Sequence, residues 1–378
     1  MKRYDSFDLA YITIDSLSEG VGSSQITPLV SRLSKSGLKI SLISYEKASP
    51  DAKLVAYFKS LGVDWNFREF GLKGLLGGVV RLNNLRQEIP KTKLIHARSD
   101  IPAVSAIASG EAPVLWDVRS LWADQKVMIQ NGLLNRSLYG MYRKLESVAA
   151  NKSDGMSTLT SAVVPILEQR HKRLPLLRTV VPTAVDLNRF KFNPTMPQKT
   201  KALFSGSYNE YYDLDLSRLF MSEFRKHYDI EIHWARPAES NKSQINVGEN
   251  EVFQSSQIEM ATLIPNYNFG VSVCKMGDSP SLTAAMPTKI GEFLACGRPI
   301  VVNKGLGDMD QFIEEFNVGV ILDGTSTNLM ESATKLATLL SDSETPHRCR
   351  ALAEKYFSMD EGTIKYLDLY SKILNTKG

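Results

Sequence analysis

MPTKIGEFLACGRPIVV, Met286 to Val302, sets proline, threonine and lysine ahead of a lone glutamate, then runs through Cys-Gly into an apolar stretch. Proline suits the start of a helix because its missing N–H would have no partner there, so a helix is expected to begin at Pro287, after SLTAAM. The free amides of a first turn point outward and favour an anion such as a diphosphate; Thr288 adds a hydroxyl and Lys289 a full positive charge. Glu292 follows Lys289 by three residues and lies on nearly the same face, where its carboxylate can accept hydrogen bonds from both hydroxyls of a ribose. Gly297 suits a left-handed helix cap, and Pro299 to Asn303 then reads as a buried strand. A plainer account stays open, in which Pro287 only starts a helix and Lys289 only pairs with Glu292, since each preference is worth a few tenths of a kcal/mol.

Outward from this segment, short apolar or alternating runs recur between stretches of helical period. LAYITI (Leu9 to Ile14), KISLIS (Lys39 to Ser44), VDWNFREF (Val63 to Phe70), KLIH (Lys93 to His96), VLWDV (Val114 to Val118) and GMSTLT (Gly155 to Thr160) read as strands of one parallel sheet. Between the first two, Ile26, Leu29, Val30 and Leu33 mark a helix face. VVPTAVDLNRFKFNPTMPQKT, from Val180 to Thr200, has no helical period and suits a connection between domains. A second series follows: KALFSG (Lys201 to Gly206), IEIHW (Ile230 to Trp234), FGVSVC (Phe269 to Cys274), PIVVN (Pro299 to Asn303) and VGVILD (Val318 to Asp323). After Pro346 come two helical stretches, the second with Ile364, Leu367, Tyr370 and Leu374 on one stripe.

The length of 378 residues fits two domains of ordinary size. The charged fraction of 23% and net charge of +4 are those of an ordinary globular protein and argue against a nucleic-acid partner. Cys274, Cys296 and Cys349 form no CxxC and no Cys/His zinc spacing, so reduced thiols in a cytoplasmic compartment are expected. Asp5 and Asp8 interrupt the N-terminus before any signal-peptide core, and no stretch approaches the roughly 20 apolar residues of a membrane span.

PTKIGEFLACGRPIVV, placed in the second of two α/β halves, resembles the signature of GT-B glycosyltransferases of family 4, the retaining nucleotide-sugar enzymes. VVPTAVDLNRF resembles that family's crossover into its C-terminal domain, with Ala184 where glycine is usual. ALFSGSY resembles its first C-domain strand, and SEGVGSSQ (Ser18 to Gln25) its glycine-rich loop. The resemblance covers most of the chain. It implies an α/β fold of GT-B type, two Rossmann-like α/β/α domains facing across a cleft with the C-terminal helices crossing back to the first domain. The expected division is an acceptor-binding domain over residues 1–182, a nucleotide-sugar domain over 183–357 and a returning helix over 358–378.

By the same resemblance Glu292 binds the ribose, while Thr288 and Lys289 sit at the diphosphate. The chain departs from the pattern at Ala284, where a second glutamate is usual. It departs again after the first C-domain strand, where Ser207, Tyr208, Asn209 and Tyr211 replace the usual arginine and lysine. Lys289 and Arg236 are then expected to carry more of the diphosphate charge, with Ser207 beside them. In the first domain, Gly20 and Gly22 let backbone approach the β-phosphate or the acceptor. His96, Asp117 and Arg119 are the candidates for contact with the transferred sugar, with an internal Asp117–Arg119 ion pair and a sheet-edge histidine as the plain alternatives.

A retaining transfer by front-face return needs no protein nucleophile, because the leaving diphosphate takes the acceptor proton while the enzyme stabilises separating charge. No metal or other cofactor is expected; DLD (Asp213 to Asp215) and DMD (Asp308 to Asp310) are read as helix first turns. The resemblance implies a nucleotide-sugar donor, UDP-linked, and a glycan or lipid-linked glycan acceptor. GLKGLLGGVVRLNNLR (Gly71 to Arg86), with Lys73, Arg81 and Arg86, and RHKRLPLLR (Arg170 to Arg178) suit an anionic membrane surface, at the inner face of the membrane, or else solvated helices over buried leucines. Two other readings remain: a catalytically degenerate subunit that binds a glycan or partner, and a nicotinamide-dependent oxidoreductase with Glu46 as its ribose acid. The latter lacks the third glycine of a dinucleotide fingerprint.

Overall fold

A computed structural model of the protein describes residues 6–376 apart from 73, 130–131, 207–210, 237–250, 255–256 and 278. It divides into two compact units, Met1–Pro182 with Met359–Gly378, and Thr183–Ser358.

The first unit alternates strand and helix: β1 (Phe7–Ile12), α1 (Thr27–Lys35), β2 (Ile40–Glu46), α2 (Ala52–Ser60), β3 (Asp64–Glu69), α3 (Gly74–Glu88), β4 (Thr92–Arg98) and α4 (Asp100–Ser109). β5 (Val114–Val118), α5 (Trp122–Ile129), α6 (Leu133–Lys152), β6 (Gly155–Thr158), α7 (Val163–Arg170) and β7 (Leu177–Val180) complete it before the chain leaves. The seven strands are all parallel in the order β3-β2-β1-β4-β5-β6-β7. The sheet is apolar where helices cover it: β2 is buried along its whole length, and Ile26, Leu29, Val30 and Leu33 turn inward from α1 and the turn before it. β7 is the strand that alternation did not reveal, since four half-covered residues at a sheet edge carry no clear period.

The second unit holds β8 (Lys201–Ser205), α8 (Leu214–Arg225), β9 (Glu231–Arg236), β10 (Glu251–Gln254), α9 (Gln257–Leu263), β11 (Phe269–Ser272), α10 (Thr288–Ala295) and β12 (Ile300–Asn303). α11 (Met309–Phe316), β13 (Gly319–Leu322), α12 (Ser326–Ser341) and α13 (Thr345–Leu352) follow. Its six parallel strands run β10-β9-β8-β11-β12-β13 around a core that includes Phe204, Phe220, Phe224, Ile232, Phe269, Val301 and Leu336. β10 also went unforeseen, because it is four residues long at the sheet edge.

The last helix, α14 (Met359–Asn375), belongs to the first unit. Its inward face differs from the expected stripe. Thr363, Tyr366, Tyr370 and Ile373 are buried and Ile364 is 57% exposed. Both stripes satisfy helical spacing, and Gly155 of β6 decides between them: a Cβ there would lie 2.3 Å from the Ile373 side chain, so this strand accepts Ile373 only because it has none.

Candidate functional site

In the second unit the helix expected at Pro287 is present, with Pro287 just outside it as the N-cap and Thr288 as its first residue. Gly297 adopts φ +80°. Its N–H donates to Leu294 O at 3.0 Å and that of Arg298 to Phe293 O at 2.9 Å, the paired bonds of a Schellman cap. Two further glycines set the helix against its neighbours. A Cβ on Gly270 of β11 would fall 2.4 Å from the Phe293 ring, and one on Gly291 would fall 2.8 Å from Val185. The Thr183 hydroxyl donates to Met286 O at 2.7 Å, tying the crossover segment to the start of α10.

Lys289 and Glu292 are both nearly enclosed, 9% and 8% exposed. The Lys289 ammonium lies 4.1 Å from the centroid of the Tyr212 ring and 3.7 Å from where a Cβ of Gly206 would stand. Gly206, at φ +91°, follows β8 directly, and its N–H donates to Ala235 O, so Arg236 at the end of β9 stands next to it. The structure thus collects Gly206, Arg236, Lys289 and Glu292 at the carboxyl ends of parallel strands and the start of a helix, where open α/β sheets hold ligands. Burial pulls the Lys289 ammonium down to about 8. It pushes the Glu292 carboxyl up to about 7, against the positive charges of Arg189 and Lys289. Among the described residues no hydrogen bond ends on the Glu292 carboxylate, so its oxygens keep their capacity to accept. Ser207, Tyr208 and Asn209 lie outside the described residues. Ala284, in place of a second glutamate, is buried. Arg298, unremarked in the sequence, is wholly buried and donates to Asn193 O, Thr195 O and Pro265 O, fastening the segment that enters the unit.

In the first unit the loop after β1 carries Gly20, at φ +51° with open space where a Cβ would be, and Gly22, whose Cβ would lie 1.8 Å from Ser16 O. Gly22 is therefore a packing requirement and Gly20 a conformational one. Glu46, at the end of β2, is buried against this loop and accepts hydrogen bonds from Ser16, Leu17, Ser18 and Ser44.

His96, Asp117 and Arg119 do come together. Asp117 is fully buried and accepts from Ser157 Oγ at 2.8 Å, Tyr366 Oη at 3.1 Å and Arg119 at 3.4 Å. His96 Nε2 stands 3.3 Å from Asp117 Oδ2 without hydrogen-bond alignment, and Nδ1 is 2.6 Å from Tyr370 Oη. Burial works against charge on Asp117, but Arg119, His96 and Arg98 outweigh it and hold the carboxyl far below the usual range. Burial also lowers the pKa of His96, against the pull of Asp117. Arg98 continues the chain outward to Asp15 at 2.8 Å. The expected internal Asp117–Arg119 pair is thus present, inside a larger network that also includes Arg98 and Tyr366, which sequence reading passed over, and Tyr370, which it placed only on a helix stripe. The strand-end position of Arg98, one strand over from Asp117 in register, was the available signal for that one.

The two stretches read as basic surfaces divide. Arg81 is buried, donating to Phe70 O and Leu72 O, while Arg170 forms a two-pronged pair with Asp124 and His171 meets Glu146. Those three side chains therefore do not face outward as a membrane surface requires. Exposed residues there include apolar Leu72, Leu76, Val79 and Val80 with Arg86, and Leu176 with Lys172, Arg173 and an Arg178 paired with Glu168; Lys73 lies outside the described residues.

No family model and no curated protein matches the sequence. Solved structures do match along nearly the whole chain. The sucrose-phosphate synthase of Thermosynechococcus elongatus superposes with a TM-score of 0.71 at 12% identity, over 98% of this chain and 99% of that one. A glycosyltransferase from Rickettsia africae gives 0.68 at 15% identity over 98% and 99%. HepE of Anabaena, in complex with UDP, gives 0.68 at 11% identity over 97% and 100%. At such identities the likeness speaks for architecture alone, and the chain has the GT-B fold of these glycosyltransferases, two Rossmann-like units of parallel sheet and helix.

Proposed function

We propose that the protein is a retaining glycosyltransferase that moves a hexose-type sugar from a nucleoside diphosphate sugar, UDP-linked, to a glycan acceptor in polysaccharide or glycolipid biosynthesis. The observation that carries this reading is the convergence of Lys289, Arg236 and the amide end of α10 on the open backbone of Gly206, with the acceptor oxygens of Glu292 one turn deeper. Two cations and a helix start suit a diphosphate, and a carboxylate at that depth suits a ribose. HepE has been solved with UDP-glucose as well as UDP, which supports the choice of donor. In this reading Lys289 and Arg236 neutralise the charge that builds on the departing diphosphate, and no metal is assigned. Thr288 adds a hydroxyl at the phosphates, and Gly20 and Gly22 bring backbone amides of the first unit into play. His96 and Asp117 act by orienting Arg119, whose side chain is more exposed than either of theirs.

The acceptor is a glycan, lipid-linked, and the protein works at the cytoplasmic face of an anionic membrane. Support for that placement is the apolar stripe of α3 and the absence of any acidic residue between Glu69 and Glu88. No described helix is long and apolar enough to span the bilayer itself. The nicotinamide alternative loses its acid, since both oxygens of Glu46 already accept from the loop after β1 and from Ser44. The degenerate-subunit alternative keeps the support of Ala284.

Calorimetric titration with UDP, UDP-glucose and NAD, each with and without a chelator, tests the donor assignment. Binding of UDP that survives chelation and is lost in Glu292→Ala is the expected result. Binding of NAD alone, or of no nucleotide, would refute it.

A further inference from the structure

Glu46 accepts hydrogen bonds from both its own strand and the loop after β1. Its Oε1 accepts from the Leu17 amide at 2.9 Å and the Ser44 hydroxyl at 2.7 Å. Oε2 accepts from the Ser16 hydroxyl at 2.6 Å, the Ser18 amide at 3.3 Å and the Ser18 hydroxyl at 3.0 Å. Four of these five donors belong to three consecutive residues at the start of the loop after β1, about 30 positions away in sequence. The Ser44 hydroxyl that braces Oε1 is itself held by Trp65 Nε1 at 2.9 Å, so the carboxylate is anchored from β3 through β2. The constraint then passes forward. Gly22, which opens the helical turn leading to α1, packs so closely on Ser16 that a Cβ would stand 1.8 Å from the Ser16 carbonyl oxygen and 2.8 Å from Leu17 Cα. Ser16 is thus gripped from one side by Glu46 and covered from the other by Gly22. Gly22 therefore packs on the same residues, Ser16 and Leu17, that Glu46 holds.

We infer that Glu46 is a positioning residue for the reaction, fixing the glycine-rich loop Gly20–Gly22 at the height where its backbone amides meet the substrate. The inference rests on the glycosyltransferase reading above. A carboxylate suits the task because it accepts from every direction in its plane, whereas an amide must turn two donor hydrogens toward groups that are themselves donors. Small displacements of positioned groups cost rate steeply, so the effect of losing this anchor falls on turnover rather than on nucleotide affinity, which belongs to Lys289 and Glu292 of the other unit.

The test is Glu46→Gln, with UDP-glucose as the donor probe and release of UDP as the readout, alongside calorimetric titration with UDP. The expected result is a fall in kcat of roughly tenfold or more, with the UDP dissociation constant within about twofold of the parent and an unchanged binding stoichiometry. A purely structural role would instead lower stoichiometry and kcat together as the folded fraction falls, and that outcome, like an unchanged kcat, overturns the inference. Should Glu46→Gln not fold, Ser18→Ala removes one hydroxyl donor and leaves the other bonds. A several-fold loss of kcat at parental thermal stability supports the anchor, and parental kcat overturns it. A parent that binds UDP but releases none from UDP-glucose, alone or with glycan acceptors, sinks the glycosyltransferase reading and this inference with it. An active parent with an equally active Glu46→Gln sinks the inference alone.

Discussion

At Glu292 and Lys289, function and stability pull in opposite directions. Burial raises the carboxyl of Glu292 from an ordinary 4.5 to about 7, so the folded state binds the extra proton across that interval and its stability falls as pH rises through it. Burial lowers Lys289 from 10.5 to about 8, so the unfolded state holds the extra proton across that interval and stability climbs as pH rises from about 8 towards 10.5. Glu292→Gln, which cannot ionise, is therefore expected to raise the melting temperature at pH 8, by the equivalent of up to about 3 kcal/mol, while UDP affinity drops at least roughly tenfold. Differential scanning calorimetry at pH 5 and pH 8 checks the first half. A gain at pH 5 as large as that at pH 8 would contradict it.

The same two groups set a pH window for the empty site. An ionised Glu292 and a protonated Lys289 coexist best between about 7 and about 8, so UDP affinity is expected to pass through a maximum there and to weaken on both sides. Titration from pH 6 to pH 9 reads this directly. A flat profile in the parent would separate the two residues from nucleotide binding.

At the scale of the element, α10 is placed by what its neighbours lack. Gly270 lets the Phe293 ring lie on β11, and Gly291 lets Val185 and Phe357 close over the helix. Gly270→Ala forces the new methyl into a ring whose three nearest atoms lie within 2.6 Å of it, and a destabilisation of about 1–3 kcal/mol follows, measurable by urea unfolding of the full chain. A milder change outside the packed face, Ile364→Ala on α14, is expected within about 0.5 kcal/mol of the parent, because that side chain is largely in water. The comparison discriminates between the two stripes that α14's sequence offers. A loss of several kcal/mol at Ile364 would restore the stripe that includes it.

At the scale of the whole molecule, the first unit is closed by chain that comes from far along the sequence. Tyr366 of α14 donates to Asp117, 249 residues earlier, and Tyr370 meets His96 across 274. Tyr366→Phe leaves the buried Asp117 with one donor fewer and is expected to cost about 1–3 kcal/mol of the first unit's stability, with UDP binding to the second unit unchanged. Two-probe unfolding, by urea with and without UDP, separates the units; a loss of UDP affinity matching the loss of stability would show them melting as one.

Much of the architecture is legible in the chain because the information is local. Strand runs such as VLWDV and IVVN announce themselves by a short, largely apolar and β-branched or aromatic composition, the α1 stripe by its period, and the start and cap of α10 by Pro287 and Gly297. So is the grouping of Lys289 with Glu292, which one helical turn guarantees. Tertiary structure alone decided the rest: that Arg81 and Arg170 turn inward to carbonyls and a carboxylate, that Asp117 sits at the centre of a buried network, that α14 presents Tyr366 and Ile373 rather than Ile364, and that Glu46 holds a loop. The physical reason is common to all four. Local periodicity dictates which backbone geometry a segment adopts, whereas the partner of a polar side chain, and the face a helix buries, depend on groups brought near only when the whole sheet has formed.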